Sequence, residues 1–193
     1  LEMTTRGVPE MAGKRFFRRV ASQARVLVRG EDCFVGYYKD FLSKSEHDQL
    51  FEALRHHVPW KIECDDFGSQ DRLTHYMGDP DCTFKYVGLT CKPNEWLPEV
   101  SDLRRKIDEF IQPIIEAELD IRENVNVTGC LLNNYEAGES FIPWHSDEVR
   151  AHGTAKIVMS VSLGGPRVFQ MRRKNDGQEG DSKGTNFECV HVG

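Results

Sequence analysis

Two pairs of side chains in the second half of the chain could do chemistry together: Asn133 with Tyr135 and, ten residues after Tyr135, His145 with Asp147. Alternate residues on a strand project to the same face, so His145 and Asp147 are expected to point together while Ser146 points away. An imidazole and a carboxylate on one face are two of the three ligands of the 2-His-1-carboxylate site that holds non-haem Fe(II). The pattern therefore predicts an iron site whose second histidine must come from elsewhere in the chain.

An H-x-D pair by itself is equally compatible with an ordinary surface histidine and aspartate, so its surroundings matter. Tyr135-x-x-Gly138 predicts a turn, and the apolar run 141–144 directly precedes His145. Residues 156–163 and 167–172 are rich in β-branched and apolar residues and are separated by Gly-Gly-Pro, which predicts two successive strands. A metal pair in a loop between antiparallel strands is typical of a double-stranded β-helix, or jelly roll.

Two helices and several strands are expected to position these residues. Residues 43–46 (Ser-Lys-Ser-Glu) form a capping box that predicts the start of a first helix. Its apolar stripe consists of Leu50, Phe51, Leu54 and Val58. A second helix is predicted after Pro98, with Pro113 expected to kink or end it. Short strands and turns are predicted in 60–92, and longer strands at 126–135, 156–163, 167–172 and 186–192, so we predict an α+β fold.

Composition limits the class of protein. The chain has 193 residues, of which 39% are hydrophobic and 29% charged, so we expect one globular domain with a real core. No apolar run approaches the roughly eighteen residues that a membrane helix needs, and no membrane partner is expected. The six cysteines form no C-x-x-C pair, which favours reduced thiols in a nuclear, cytoplasmic or organellar protein.

The charge distribution is uneven. A net charge of −6 argues against a strongly cationic nucleic-acid binder, because phosphate contacts supply most non-specific affinity. Residues 4–29 nevertheless contain seven basic residues and one acidic residue, and a second basic cluster lies in residues 167–174. Each cluster is either a solvated face or a local basic strip. We predict that residues 1–29 are a basic N-terminal arm or linker, with an organelle transit peptide as the alternative.

As a set, the motifs resemble the AlkB family of Fe(II)/2-oxoglutarate-dependent nucleic-acid dealkylases, in particular its eukaryotic DNA- and RNA-repair members. They are N-x-Y at 133–135, P-W-H-S-D-E at 143–148, S-V-S-L-G at 160–164 and R-V-F-Q-M-R-R-K at 167–174. Upstream, R-L-T at 72–74, Y-x-G-D at 76–79 and T-F-K-Y at 83–86 extend the resemblance, which covers about residues 30–193. It implies a dioxygenase domain in 30–193, with a substrate-recognition lid at 60–92 and a jelly-roll core at 126–193.

The resemblance also implies roles for individual residues. His145 and Asp147 would hold Fe(II), while Asn133 and Tyr135 would hydrogen-bond the carboxylate of the co-substrate 2-oxoglutarate. The implied substrate-binding residues, which would contact a flipped or single-stranded alkylated base, are Tyr86, Phe84, Glu148, Phe67 and Arg72. Two acids precede Phe67 and would repel phosphates, which favours RNA or single-stranded substrates over duplex DNA.

The end of the chain departs from the family pattern. The distal histidine and the R-x-x-x-x-x-R segment, whose first arginine would pair with 2-oxoglutarate, are not found in the sequence. His191 is the late histidine that could serve as third ligand, and His152 is a weaker candidate. We therefore expect an incomplete domain that lacks its C-terminal strands and is inactive by itself.

The sequence leaves three functions open. The first is oxidative demethylation of alkylated DNA or RNA bases with Fe(II), O2 and 2-oxoglutarate, giving succinate, CO2 and formaldehyde. The second is a non-catalytic nucleic-acid-binding module, and the third is a related oxygenase that acts on a protein or small molecule. A monomer is expected in each case.

Overall fold

The computed structural model describes residues 2–7, 24–29, 34–65, 68–86, 89–136, 138–145, 157–171 and 187–191. The helices described there are α1 (Lys44–His57) and α2 (Pro98–Leu119). The strands are β1 (Glu2–Gly7), β2 (Ala24–Arg29), β3 (Phe34–Tyr38), β4 (Lys61–Asp65), β5 (Gly68–Gly78), β6 (Phe84–Tyr86), β7 (Leu89–Cys91), β8 (Val125–Asn134), β9 (Val158–Ser160), β10 (Arg167–Met171) and β11 (Phe187–His191). This mixture of helices and antiparallel strands confirms the predicted α+β class.

The chain forms two compact units. The first comprises Leu1–Ala12 and Ala53–Val161, and the second comprises Gly13–Glu52 and Ser162–Gly193. The boundary between them falls inside α1, and each unit contains residues from both sides of the predicted boundary at residue 30. The functional residues predicted at positions 72, 133, 135 and 145 belong to the first unit.

The first unit is built on a five-stranded antiparallel sheet with the strand order β4-β5-β8-β1-β9. The long strands β5 and β8 pair from Leu73 opposite Asn134 to Gly78 opposite Gly129. Side chains at the middle of this pair are almost completely buried, with Met77 and Cys130 at 0% exposure and Leu132 at 1%. A short hairpin of β6 and β7 follows β5 in the chain. Residues 60–92 therefore contain turns and short strands as predicted, together with the eleven-residue β5.

Two parts of the segment 1–29, which was predicted to be a basic arm or linker, form paired strands. β1 lies between β8 and β9 and pairs with both, for example with Glu2 opposite Leu131 and Ser160. β2 pairs with β3 in the second unit. The sequences of both strands contain β-branched residues that favour extended backbone. A composition dominated by arginine concealed this strand pattern.

Helix α2 begins with Leu97 as the N-cap and Pro98 in the first turn, where the missing proline N–H breaks no helical hydrogen bond. Its buried face includes Val100, Leu103 and Ile107. The prediction that Pro113 could end this helix was wrong, because the helix continues to Leu119. The last turns are held by packing: Ile115 is 2% exposed and forms a core cluster with Val125 and Ile157. Tertiary burial here outweighs the hydrogen bond that proline removes.

In the second unit, the predicted capping box is confirmed at the start of α1. The Ser43 N–H donates to Glu46 Oε2 at 2.7 Å, and the Glu46 N–H donates to Ser43 Oγ at 3.3 Å. One turn later, the ring Nε2 of His47 accepts from the backbone N–H of Gly164 at 3.1 Å. Gly164 has a φ of +81°, and an added Cβ would lie 2.8 Å from the Phe51 ring. Both its conformation and its close contact therefore require glycine.

No helix in the described part of the chain combines the length and the apolarity needed to cross a membrane.

Candidate active site

Strands β5 and β8 bring together predicted site residues that are far apart in the sequence. Asn133 lies directly opposite Thr74 in the antiparallel register, so their side chains share one face of the sheet. Arg72 is two residues from Thr74 and projects to the same face. Thr74 is 4% exposed and Arg72 is 6% exposed, which shows that this face is covered.

The guanidinium of Arg72 contacts the side chain of Asn133. The Arg72 Nε–H donates to Asn133 Oδ1 at 2.8 Å, across a sequence separation of 61 residues. The resemblance assigned Arg72 to substrate binding and Asn133 to co-substrate binding, and the structure places the two in direct contact. Contact of Arg72 with a substrate stays a prediction.

Tyr135 immediately follows the end of β8, and the chain then leads through a turn at residues 138–139 to His145. His145 lies in a segment without regular secondary structure, so the expectation that it occupies a strand was wrong. This segment is exposed, with Phe141 at 59% and Trp144 at 48% exposure. Gly138 and Pro143 lie near His145 in the sequence, and both residue types favour irregular backbone over a strand.

The imidazole of His145 is oriented by a local hydrogen bond. Its Nδ1 lies 2.8 Å from the carbonyl oxygen of Pro143. Because a carbonyl oxygen can only accept, Nδ1 carries the proton and the lone pair of the neutral ring is on Nε2. Metal-bound histidines commonly have this arrangement, in which a backbone carbonyl fixes the tautomer and ring orientation. The donor chemistry of His145 therefore fits Fe(II).

Several predicted residues lie outside the described part of the chain: Asp147, Glu148, Phe67 and His152. Phe67 belongs to the connection between β4 and β5, which pair as a hairpin from Asp65 opposite Gly68. Among the described residues, no group of three histidine, cysteine or acidic side chains is close enough together to hold a metal.

The remaining candidates are described by their backbone alone. Phe84 and Tyr86 lie in β6, where they pair with Cys91 and Leu89 of β7. His191 lies at the end of β11, opposite Arg167 in β10, in the second unit. Its role as an iron ligand remains a prediction.

A cluster at the other end of β5 was not recognised as such from the sequence. Arg104 of α2 donates through Nη1 and Nη2 to the two carboxylate oxygens of Asp79, at 2.8 and 3.1 Å. The Trp96 Nε1–H donates to Asp79 Oδ1 at 3.0 Å, and the guanidinium carbon of Arg104 lies 4.7 Å from the centre of the Trp96 ring. Asp79 belongs to the Y-x-G-D motif of the resemblance, so the structure gives this motif a packing role. The opposite charges of Asp79 and Arg104 are compatible with an ion pair, but no periodic pattern in the sequence places these two residues next to each other.

Burial shifts the pKa of several groups around this sheet. The pKa of His75 is lowered, first because burial disfavours the charged ring and second because Lys61 is nearby. Burial raises the pKa of the Tyr76 hydroxyl, which donates to the carbonyl oxygen of Cys82 at 2.6 Å. Burial also raises the pKa of Asp108, whose Oδ1 accepts from the Val127 N–H at 2.7 Å. The hydrogen bonds of Tyr76 and Asp108 to backbone groups help to stabilise the sheet that carries Asn133.

Comparison with known proteins identifies the family. The family model described as "2OG-Fe(II) oxygenase superfamily" matches residues 34–186. The chain is 30% identical over 147 residues to alpha-ketoglutarate-dependent dioxygenase alkB homolog 3 of Mus musculus, covering 74% of this chain and 46% of that protein. It is 27% identical over 158 residues to the DNA oxidative demethylase ALKBH2 of Arabidopsis thaliana, covering 76% of this chain and 47% of that one.

The human DNA oxidative demethylase ALKBH2 is 26% identical over 168 residues, which cover 80% of this chain and 56% of that protein. The chain thus spans about half the length of the curated relatives it matches. The matched region includes every predicted site residue from position 67 to position 148. A jelly-roll core is the fold that this family implies. The chain belongs to the 2OG-Fe(II) oxygenase superfamily, and within it the resemblance to the AlkB homologues is confirmed.

Proposed function

We propose that this chain is part of an AlkB-type dioxygenase that removes alkyl groups from bases of DNA or RNA by oxidation. The co-substrates are 2-oxoglutarate and O2, and the metal is Fe(II). Family membership and the resemblance to AlkB homologues support the class of reaction. The activity named for the plant and human relatives, DNA oxidative demethylase, supports a nucleic-acid substrate.

The observation that carries the proposal is the hydrogen-bonded state of two site residues, Asn133 and His145. Asn133 lies at the end of a buried strand with its Oδ1 already bonded to Arg72 at 2.8 Å. His145 has its Nδ1 bonded to a backbone carbonyl oxygen at 2.8 Å, which leaves the lone pair on Nε2. Asn133 is thereby oriented to donate its NH2 group to a carboxylate, and His145 is oriented to bind a metal through Nε2.

When bound, Fe(II) with 2-oxoglutarate supplies the oxidation of an N-methyl group by O2, with succinate, CO2 and formaldehyde as products and the unmodified N–H base restored. His145 and Asp147 would hold the metal. Asn133 and Tyr135 would orient the 2-oxoglutarate carboxylate by donating hydrogen bonds to it. The protein's own contribution is thus to fix the co-substrate and to limit the access of water.

The base would have to leave its stack to reach this site. Phe141 and Trp144 are exposed aromatic side chains close to His145 in the sequence. Bases stack on aromatic ring faces of this kind. Tyr86 and Phe84 are proposed to stack on the alkylated base, with Phe67 as a further aromatic contact and Glu148 at the base edge. An acidic side chain suits a cationic alkylated base or an exocyclic amino group.

The test is formaldehyde and succinate release from N-methylated oligonucleotides, single- and double-stranded, as DNA and as RNA. The assay uses the 193-residue chain and the natural gene product that contains it, each with Fe(II), ascorbate and 2-oxoglutarate. We expect release from the gene product with a preference for single strands, and its loss in the His145→Ala variant. If the gene product releases succinate at a rate that methylated oligonucleotides do not change, an oxygenase for a protein or small molecule is favoured instead.

Binding measurements separate the remaining alternative. The His145→Ala variant is expected to bind an unmodified oligonucleotide as the wild type does, because His145 is assigned to the metal. If the gene product binds methylated oligonucleotides but neither 2-oxoglutarate nor Mn(II), the non-catalytic binding module replaces the proposed enzyme.

A further inference from the structure

The contact between Arg72 and Asn133 determines which way the Asn133 amide points. A side-chain amide has an oxygen that accepts hydrogen bonds and an NH2 group that donates them. The arginine guanidinium has only donors, so the amide atom 2.8 Å from Arg72 Nε must be the oxygen. The NH2 group of Asn133 is consequently turned away from Arg72.

Burial makes this orientation persistent. Arg72 is 6% exposed, in a strand whose neighbours Thr74 and His75 are 4% and 6% exposed. A hydrogen bond removed from water is not readily exchanged for one to solvent, and turning the amide would place two donors against each other. The amide therefore has one low-energy orientation before any ligand arrives.

The side chain of Arg72 has a different kind of partner from the side chains of three other arginines in the described residues. Arg104, Arg105 and Arg122 lie 2.8, 3.0 and 3.5 Å from carboxylate oxygens. The described hydrogen bond of Arg72 is to a neutral amide. A buried guanidinium beside a neutral group favours the arrival of an anion, because an anion offsets part of the desolvation cost.

We propose that Arg72 is a positioning residue for the co-substrate: it holds Asn133 with its NH2 group presented to a carboxylate of 2-oxoglutarate. The inference rests on the proposed function, since it assigns Arg72 a part in the same site. It replaces direct contact with the nucleic acid as the main role of Arg72. The guanidinium suits this task because it is planar and rigid, so the direction of its Nε–H bond is fixed within the group.

The test compares variants of the natural gene product that contains this chain, by titration calorimetry with 2-oxoglutarate in the presence of Mn(II). Arg72→Met removes the donor and the charge, and Arg72→Lys keeps a charge without the planar fork. We expect both to weaken 2-oxoglutarate binding by about tenfold, which corresponds to ~1.4 kcal/mol. Arg104→Met is the matched control, because it removes an arginine from the same unit at the opposite end of β5. It is expected to leave the affinity unchanged.

A second variant tests the amide directly. Asn133→Asp keeps an acceptor for Arg72 but has no NH2 group, so it should remain folded and lose binding of 2-oxoglutarate. In the wild type, the side-chain NH2 signals of Asn133, assigned by their disappearance in Asn133→Asp, should appear as one protected pair in a 1H–15N spectrum. In Arg72→Met the same pair should broaden or exchange faster with solvent.

Different results would overturn different claims. Wild-type binding that Arg72→Met leaves within twofold, or that Arg72→Lys fully retains, would disprove positioning while the proposed function stands. Unchanged Asn133 NH2 signals in Arg72→Met would also disprove it. Absence of 2-oxoglutarate binding by the wild-type gene product would remove both the proposed co-substrate site and the role of Arg72 in it.

Discussion

An arginine contact lies near each end of the β5–β8 pairing, but the two arginines have partners of different charge. At one end, Arg72 donates to the neutral amide of Asn133 at 2.8 Å and is 6% exposed. At the other end, Arg104 forms a two-pronged ion pair with Asp79, and its guanidinium stacks on Trp96. Its side chain is 25% exposed, so water and the carboxylate both offset its charge.

The difference separates a structural contact from one prepared for a ligand. The Arg104 cluster is complete within the protein, since the carboxylate of Asp79 accepts from both Arg104 and Trp96. Among the described residues, the Arg72 guanidinium contacts a neutral amide and no carboxylate, so an added anion would offset its charge. We therefore expect variants at the Asp79 end to change stability, and variants at the Arg72 end to change ligand binding.

The largest effect on stability is expected from Asp79→Ala. It removes the acceptor of both Arg104 and Trp96, and we expect the free energy of unfolding to fall by about 2 kcal/mol. Denaturant unfolding of the chain would measure this change. Asp79→Asn, which keeps an acceptor for the indole, should cost less; equal losses in the two variants would contradict this account.

A smaller loss is expected from Trp96→Phe. This change removes the indole N–H that donates to Asp79 and weakens the cation–π contact with Arg104. Together these should cost about 1 kcal/mol. In a double-mutant cycle with Arg104→Met, the two losses should be less than additive, because both variants break the same cluster. Strict additivity would show that the ring and the guanidinium do not interact.

Asp108 offers a pH test at the Asp79 end. Burial raises its pKa above the usual 3.8, so the folded state binds a proton more tightly than the unfolded state does. Stability should therefore decline as pH rises from about 3.8 through the raised value, since there the unfolded state binds fewer protons. Asp108→Asn keeps an acceptor for the Val127 N–H and should flatten this decline, gaining up to about 1 kcal/mol at neutral pH. Urea midpoints of both proteins between pH 4 and 7 measure it, and parallel curves would refute the assignment.

The smallest stability change is expected from Arg72→Met, within about 0.5 kcal/mol of the wild type. Replacing a buried charge by an apolar side chain of similar length is often neutral, because the desolvation cost disappears with the hydrogen bond. Thermal or denaturant unfolding would check it. A loss as large as that of Asp79→Ala would erase the distinction between the two ends of β5.

The sequence predicted features that depend on neighbouring residues. The capping box at residues 43–46 is local chemistry, and its two reciprocal hydrogen bonds are present. The start of α2 at Pro98 and the strand β8 are also close to prediction, because their apolar spacing and turn residues are local signals.

Features that depend on distant residues were not predicted. The Arg72–Asn133 hydrogen bond spans 61 residues, and nothing in either local pattern identifies the partner. The continuation of α2 past Pro113 depends on the burial of Ile115 against Val125 and Ile157. The site itself was predicted through resemblance: His145 was recognised by its motif, but its bond to Pro143, which sets the tautomer, became visible only in three dimensions.

The position of β1 in the middle of the main sheet has a consequence for the order of folding. Its residues 2–7 pair with residues 125–131 and with residues 158–160, so these pairings have very high contact order. On the ribosome, β1 would emerge long before either partner and would have to remain unpaired during most of synthesis. Its hydrogen-bonding edges would be available to chaperones or to other nascent chains in that interval. Closure of the sheet around β1 should accordingly be a late, rate-limiting event in the maturation of this protein.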